Sequence, residues 1–506
     1  MRRMFSQSHL VRLMGRPLVI GQTRPLARGK TFSLQPARSC TSRYDVYSEE
    51  ASEDFDPEDQ QEMQQLVERY LHTAASPHQV LVIQPFIRTG PQQQVTATRQ
   101  LMLDESVALA ETLDWKVVDT VSLGLSSFKK KYLFGSGNLE MLREKVAANQ
   151  SITAVFVSLY QLTAVQRLQF ESLFQVPVID RYHLVLQIFF QHAQTRESKL
   201  QVALAEIPYL KNRLSVQYQI ERESKGSGGN LGEQYFEKQR FVLKKIENGV
   251  KKKISDLKQQ RDKLREGRRK NEVPTVAVIG YTNCGKTSLI RALTSSSLLE
   301  PKDKLFATLD VTCHRTTLPD INLEVVFIDT VGFISDIPTP LIASFSSTLE
   351  DALQADLLLH VRDVSHPDTT NQQEQVLATL RRLGVPPRSL GAMLTVGNKI
   401  DKVPQERWLG VKEAGALPLS CTLGLGLDHL VSSLTPKLLE ARSLRTFAIR
   451  LRPGGEEEAW LRRHGSVSTT EVCPKDQNFH LVTVLLSEAG EQKFRSRFVK
   501  ETVSAG

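Results

Sequence analysis

From Gly280 to Thr287 the chain reads Gly-Tyr-Thr-Asn-Cys-Gly-Lys-Thr, the spacing G-x-x-x-x-G-K-[ST], and these residue types suit one task, the holding of phosphate. Gly280 and Gly285 let the backbone turn tightly, so that successive N–H groups converge on phosphate oxygens. Lys286 supplies a point charge for β- and γ-phosphates, and Thr287 a hydroxyl for Mg²⁺. Tyr281, Thr282, Asn283 and Cys284 fill the loop, and Ser288 follows it. The alternative is a chance match in an ordinary loop. The flanks argue against it: Val276, Val278 and Ile279 read as a short buried strand, and Ser288, Leu289 and Ile290 open a helical pattern. A strand, a glycine loop and then a helix N-terminus favour an anion.

Three further segments decide which nucleotide. Asp329-Thr330-Val331-Gly332 follows a strand pattern; the carboxylate can hold Mg²⁺ through water, and the Gly332 N–H can face a γ-phosphate. Phe306-Ala307-Thr308 lies between that segment and the loop, where a switch threonine should reach Mg²⁺ and the γ-phosphate. Asn398-Lys399-Ile400-Asp401 follows another strand. A carboxylate there takes both N–H groups of a guanine edge, a pattern adenine does not offer. Ser420-Cys421-Thr422 can add a backbone contact to the base. In this order the elements match a Ras-type GTPase with Mg²⁺ as cofactor and GTP as substrate. Lys286, Thr308 and Gly332 are expected at the γ-phosphate; Thr287, Thr308 and Asp329 are expected around the metal.

Phe333 follows Gly332, where many GTPases carry a water-orienting Gln. A phenyl ring cannot hydrogen-bond the attacking water, so slow intrinsic hydrolysis is expected, completed by a partner or an ion. Asn283 is a candidate for binding K⁺, as in GTPases with a similar Asn. Cys284, beside a helix N-terminus and near Lys286, has surroundings that can depress a thiol pKa; the plainer role of a small filler is preferred. Asp363 is expected to be structural.

The elements that must position these residues follow from periodicity. Within 78–190, strand patterns at Val80–Ile83, Lys116–Val121, Thr153–Val157 and Val176–Ile179 alternate with helical spacing at Leu101–Leu113, Leu139–Ala148 and Val165–Phe174. This predicts βαβ units and a small parallel sheet. Gly135-Ser-Gly137 reads as a tight strand-to-helix turn, with a phosphate cradle the weaker alternative. Across 191–270, Leu200, Ile207 and Leu214 recur every seven residues, as do Phe236, Leu243, Val250, Leu257 and Leu264. Two amphipathic helices linked by Ser224–Asn230 make an αα-hairpin, with Pro208 a point where the first can kink. The second carries Lys244, Lys245, Lys251, Lys252, Lys253, Arg261, Lys263, Arg265, Arg268, Arg269 and Lys270, either a solvated face or a polyanion contact. Residues 271–441 alternate again, with strands at Asn322–Ile328, Leu357–Val361 and Met393–Val396. Residues 442–506 show strands at Thr446–Leu451 and Leu481–Leu486 and a helix near Glu456–Arg463. The fold class is α/β: an N-terminal small parallel α/β domain with a long αα-hairpin, a Ras-like P-loop G domain, and a small C-terminal α+β domain.

The 506 residues leave room for about three domains. No apolar run of about 18 residues exists, so no helical membrane span is expected. Five scattered cysteines without metal-ligand spacing fit free thiols in a reducing compartment. The net charge of +9 is localised. Residues 1–44 hold eight Arg and one Lys and no acid; without them 56 basic residues face 56 acidic ones. An Arg-rich, Ser-containing, acid-free segment predicts a mitochondrial transit peptide and a matrix location; the alternative is a basic arm for nucleic acid. An acidic spacer over 45–77 follows.

The body of the chain, from about residue 78, resembles the HflX family of ribosome-associated GTPases. The resemblance rests on Gly280-Tyr-Thr-Asn283, Phe306-Ala-Thr-Leu-Asp310, Asp329-Thr-Val-Gly-Phe-Ile334, Ser347-Thr-Leu-Glu350 and Ala355-Asp-Leu-Leu-Leu-His360. Val178-Ile-Asp-Arg181 and Thr195-Arg-Glu-Ser-Lys-Leu-Gln-Val202 look like its N-terminal signature. It implies GTP-dependent binding to the large ribosomal subunit, here the mitochondrial one with its rRNA, splitting of ribosomes, and a role in late large-subunit assembly. A monomer is expected. The departures are a hairpin link, Lys225-Gly-Ser-Gly-Gly-Asn-Leu-Gly-Glu233, without the family's Arg and Pro, Asn138 for a common Lys, and Cys284 and Thr287 for Ala and Ser. Two other functions stay open: a non-translational switch or tRNA-modification partner timed by GTP, and an assembly scaffold that needs no turnover.

Overall fold

A computed structural model of the chain describes residues 61–62, 64–67, 71, 77–87, 98–128, 130–225, 230–270, 273–294, 305–306, 309, 311–334, 354–474 and 476–498. The chain divides into Met1–Thr41 and Ser42–Gly506, and all described residues lie in the second unit. The acid-free segment 1–44, Ala307, Thr308, Ser347–Glu350 and the centre of the hairpin link therefore lie outside the described residues.

The first sheet holds β1 (Gln79–Ile87), β2 (Lys116–Leu125), β3 (Ala154–Val157) and β4 (Val178–Asp180) in the order β2-β1-β3-β4, every neighbouring pair parallel. The apolar run of β3 is buried on both faces, as a central parallel strand must be. Between the strands run α1 (Arg99–Thr112), α2 (Ser136–Ala148) and α3 (Ala164–Phe174). Thr98 caps α1, and Thr163 with Gln166 forms a capping box on α3, so polar side chains set both helix starts. Gly135 is the N-cap residue of α2 and Gly137 lies in its first turn, and a Cβ added at either would meet nothing within 4 Å.

A fourth helix, α4 (Arg181–His192), departs from the sequence expectation, which assigned no helix there. Nine consecutive residues, Arg181 to Phe189, are buried. A helix covered on all sides has no polar stripe, so its sequence lacks the 3.6-residue period that reveals one. It leads into α5 (Arg196–Lys225), which continues through Pro208, and then α6 (Asn230–Lys270). At 41 residues α6 is about 60 Å long. The heptad residues Leu200, Ile207, Leu214, Leu243 and Val250 are buried in the seam between them, and Tyr218 stacks on Phe236 at 4.3 Å.

The second sheet has the order β10-β9-β8-β5-β7-β6, built from β5 (Thr275–Gly280), β6 (Thr312–Leu318), β7 (Leu323–Asp329), β8 (Leu357–Asp363), β9 (Leu394–Asn398) and β10 (Ala416–Pro418). All pairs are parallel except β6 with β7. Its described helices are α7 (Lys286–Thr294), α8 (Thr369–Arg382), α9 (Pro387–Ala392), α10 (Glu406–Glu413) and α11 (Leu427–Ala441). The polar β6 escapes sequence detection because it is an edge strand with little buried surface. A third, antiparallel sheet, β11 (Leu444–Leu451), β13 (His480–Ser487) and β12 (Ser466–Val472), packs against α12 (Glu456–His464) and α13 (Glu488–Phe498).

One apolar core unites the first sheet, the hairpin and a face of the second sheet. It includes Val82, Phe156, Ile188, Leu210, Val250, Ala277, Ile279 and Ile328. The opposite face of the second sheet has its own core, with Leu289, Phe327, Val396 and Leu434.

Candidate functional site

The loop Tyr281–Gly285 leaves the carboxyl end of β5, at the middle of the sheet, and enters α7 at Lys286. Open parallel sheets place ligands at this edge. Gly285 sits at φ +96°, and a Cβ there would lie 2.2 Å from Nδ2 of Asn398, so both backbone shape and space demand glycine. Asn283 adopts φ +59°, a left-handed conformation that Asn tolerates better than most residues. Lys286 is buried, and its ammonium donates to the carbonyl of Tyr281 at 3.0 Å and more loosely to that of Gly280 at 3.4 Å.

The segment after β7 lies directly on this loop. Thr282 N–H donates to the Phe333 carbonyl at 2.6 Å, and Phe333 N–H donates to the Gly280 carbonyl at 3.0 Å. Thr330 Oγ1 donates to the Val278 carbonyl at 2.7 Å, and Val331 is buried. A Cβ on Gly332 would lie 3.0 Å from the Lys286 ammonium and 2.8 Å from Cγ2 of Thr282, so only glycine permits this approach. The Phe333 ring is buried in the main core. This side chain acts as an apolar anchor, and only the Phe333 backbone offers polar atoms to the loop.

Thr287 Oγ1 donates to Asp329 Oδ2 at 2.7 Å, and Asp329 is 1% exposed. A hydroxyl in the first turn of α7 and a buried carboxylate at the end of β7, both hard oxygen donors, fit Mg²⁺. Phe306 is buried, while Ala307 and Thr308 lie outside the described residues.

The third group, Asn398–Asp401 with Ser420–Thr422, closes on the same loop. Asn398, 2% exposed, donates through Nδ2 to the Cys284 carbonyl at 2.9 Å and accepts from Cys421 N–H through Oδ1 at 3.2 Å. One amide thus ties the phosphate loop to the segment Ser420–Thr422. Ser420 Oγ donates to Asp401 Oδ1 at 2.5 Å and orients that carboxylate. Lys399 takes φ +64°, and its ammonium donates to the Asn283 carbonyl and pairs with Asp363, each at 2.8 Å. These bonds hold a conformation that costs a β-carbon-bearing residue about 1 kcal/mol or more. They give Asp363 the structural role expected of it. Ser288 is half-buried in the first turn of α7, and Thr422 is exposed.

Burial decides between the two roles considered for Cys284, in favour of the preferred one, a small filler. Burial pushes the Cys284 thiol up, against the pull of Lys286 and Lys399, so its surroundings do not activate it. The Cys421 thiol is pushed up to about 12, mainly by burial. At pH 8 only about 10⁻⁴ of a thiol with that pKa is ionised. Alkylation at pH 8 is therefore expected to label the exposed Cys313 at least about ten times faster than Cys284 or Cys421, as peptide mass mapping would show. Behind the loop, burial and the charges of Arg362 and Lys286 push His360 down to about 3, so it stays neutral at pH 7.

Sequence reasoning missed four residues that touch the site from the first sheet's helices: Glu105, Arg181, Phe189 and His192. Tyr281 donates its hydroxyl to Glu105 at 2.6 Å, and His192 Nδ1 lies 2.8 Å from the Phe306 carbonyl. No spacing rule connects residues so far apart in the chain; only Val178-Ile-Asp-Arg181, part of the family resemblance, gave any signal.

Three described families match successive parts of the chain. They are GTP-binding GTPase N-terminal over residues 100–190, GTP-binding GTPase Middle Region over 192–268, and 50S ribosome-binding GTPase over 275–399. The chain is 38% identical over 429 residues to GTP-binding protein 6 of Homo sapiens, covering 84% of this chain and 82% of that protein. It is 33% identical over 410 residues to GTPase HflX of Magnetococcus marinus, covering 80% and 92%. Among solved structures, that of a GTP-binding protein from the hyperthermophilic archaeon Sulfolobus solfataricus in complex with GDP is 21% identical. It matches 72% of this chain and 99% of its own, with a TM-score of 0.39.

Proposed function

Because the chain belongs to the HflX family of GTPases, we propose that it is a mitochondrial GTPase that binds the large ribosomal subunit, separates ribosomes into subunits and acts in late assembly of that subunit. The observation that carries this is the fusion of a nucleotide site to a basic hairpin through one core. Lys244, Lys252 and Lys263 are exposed along α6, a surface suited to rRNA phosphates. The described part of α6 ends at Lys270 and β5 starts at Thr275, so helix and nucleotide-bearing strand are nearly continuous. The acid-free segment 1–44 supports import into the matrix. Among the described residues no helix is long and apolar enough to cross a membrane.

In this mechanism Lys286 neutralises phosphate charge, and Asn398 and Asp401 select guanine. Thr287 would hold Mg²⁺ directly and Asp329 through water; the ion supplies positive charge to the β- and γ-oxygens. GTP would order Thr308 and the loop at Gly332, and hydrolysis would release them, an order–disorder switch that lowers ribosome affinity. Phe333 has no group to orient water, so the ribosome or an ion must complete the site. Asn283, exposed beside Thr282, is the residue for K⁺. Hydrolysis is expected to run several-fold faster in potassium than in sodium chloride at equal ionic strength; equal rates remove the ion from the mechanism.

The deciding experiment adds the purified protein and a non-hydrolysable GTP analogue to mitochondrial monosomes on a sucrose gradient. Free subunits support splitting. Bound protein on intact monosomes would shift the role to assembly. Monosomes with no protein bound would exclude both ribosomal roles and favour a switch acting outside translation, such as a tRNA-modification partner.

A further inference from the structure

The loops that meet the nucleotide are held from outside their own sheet, by the two ends of α4. At its start, Arg181 pairs with one oxygen of Glu105 on α1, and the other oxygen, Oε2, accepts the Tyr281 hydroxyl at 2.6 Å. Tyr281 is the second residue of the phosphate loop. In the last turns of α4, Phe189 meets the Phe306 ring edge-on at 4.8 Å, and His192 Nδ1–H donates to the Phe306 carbonyl at 2.8 Å. Phe306 is 1% exposed and sits at φ +54°, two residues before Thr308. A helix of 12 residues, about 18 Å long, thus reaches the phosphate loop through Glu105 and holds Phe306 directly.

The grip is rigid on its own side. Asp180 is fully buried, caps α4 through His183 N–H at 2.9 Å, accepts from Leu162 N–H at 3.1 Å and pairs with Arg167. Tyr182 donates its hydroxyl to the Ala205 carbonyl on α5 at 2.7 Å. A cavity of about 580 Å³ opens between the ends of β1 and β3 and the phosphate loop, with Glu105, Arg181, Tyr281 and Thr282 in its walls. Both residues of the Tyr281–Glu105 bond line that cavity, and Tyr281 is also packed into the main apolar core, so the bond adds a directed contact to close packing in positioning the loop.

We propose that Glu105 is a positioning residue of the GTPase reaction: fixed by Arg181, it holds Tyr281 and with it the phosphate loop in the shape that receives the nucleotide. This rests on the assignment of 280–287 as the nucleotide loop. A loop held in its bound shape needs no ordering when ligand arrives; without the bridge, that ordering cost falls on the binding step. Lys286 and Thr287 stay untouched, so the loss belongs to KM rather than kcat.

The test uses the full chain with Tyr281→Phe, Glu105→Ala, their double variant and Glu105→Gln. It measures GTP kcat and KM, GDP affinity with a fluorescent analogue, and thermal unfolding. Tyr281→Phe and Glu105→Ala are each expected to raise KM and weaken GDP about 5–10-fold, the scale of one net hydrogen bond. Their kcat should stay within about twofold. The double variant should be no worse than either single one, because both remove the same bond. Glu105→Gln leaves one oxygen for Arg181 and an NH₂ that can donate to the tyrosine oxygen, and should recover part of the loss. Additive effects, or a Tyr281→Phe protein that melts normally with unchanged KM, would overturn the proposal. A wild-type chain that binds no guanine nucleotide would instead remove the premise, and the proposal with it.

Discussion

Asp401→Asn is expected to reverse the base preference of this protein. The side chain sits in the 3-10 turn Ile400–Lys402, aimed by the hydroxyl of Ser420. As a carboxylate it offers two acceptors to the two N–H donors of guanine. As an amide it turns an NH₂ group toward one of those donors, and donor then faces donor. Sites that hydrogen-bond a substrate edge reject an analogue lacking it by about 10⁴–10⁵; Asp401 is open to water before ligand binds, so a GTP loss of roughly 10³ is expected. Xanthosine triphosphate carries a carbonyl where guanine carries its amino group, so it should bind the variant better than GTP does. Competition against a fluorescent nucleotide measures both. If the variant still prefers GTP, the base lies elsewhere. Asn398 makes a poorer probe, because its amide also holds the phosphate loop to Cys421.

Lys286→Met should separate chemistry from folding. Methionine keeps the aliphatic stem and removes the ammonium. That charge is 7% exposed and rests on two carbonyl oxygens, an arrangement that costs desolvation while no nucleotide is present. The nucleotide-free variant is therefore expected to unfold at the same temperature as the parent chain or higher. Loss of one preorganised charge at the phosphates should lower kcat/KM by about 10²–10³. The thermal gain from Mg²⁺ and GDP, about 2.7 kcal/mol at a hundredfold excess over Kd for the parent, should vanish at the same concentration. A variant that keeps this gain would show that Lys286 faces no phosphate.

Local patterns made much of the molecule legible. The strand–loop–helix of 275–294 announces itself because a phosphate loop needs its glycines, lysine and hydroxyl at fixed short spacings. The hairpin is visible because its helices bury one stripe and leave the other wet, so Leu200, Ile207 and Leu214 repeat with the heptad. α4 was invisible for the converse reason, being buried on every side, and β6 and β12 because polar edge strands bury too little to alternate. Cys284 shows how context changes sign: its neighbours in sequence suggest activation, and its burial raises the thiol instead.

The sequence alone determined the nucleotide class and which groups are expected to meet it, since each motif closes within a few residues and its chemistry is carried by residue type. Tertiary structure decided how those groups are held. Glu105 meets Tyr281 across 176 residues and His192 meets Phe306 across 114, contacts that no local spacing encodes. They exist because one apolar core presses the first sheet's helices against the nucleotide loops, and burial then leaves each polar group there to find its partner in the fold rather than in water.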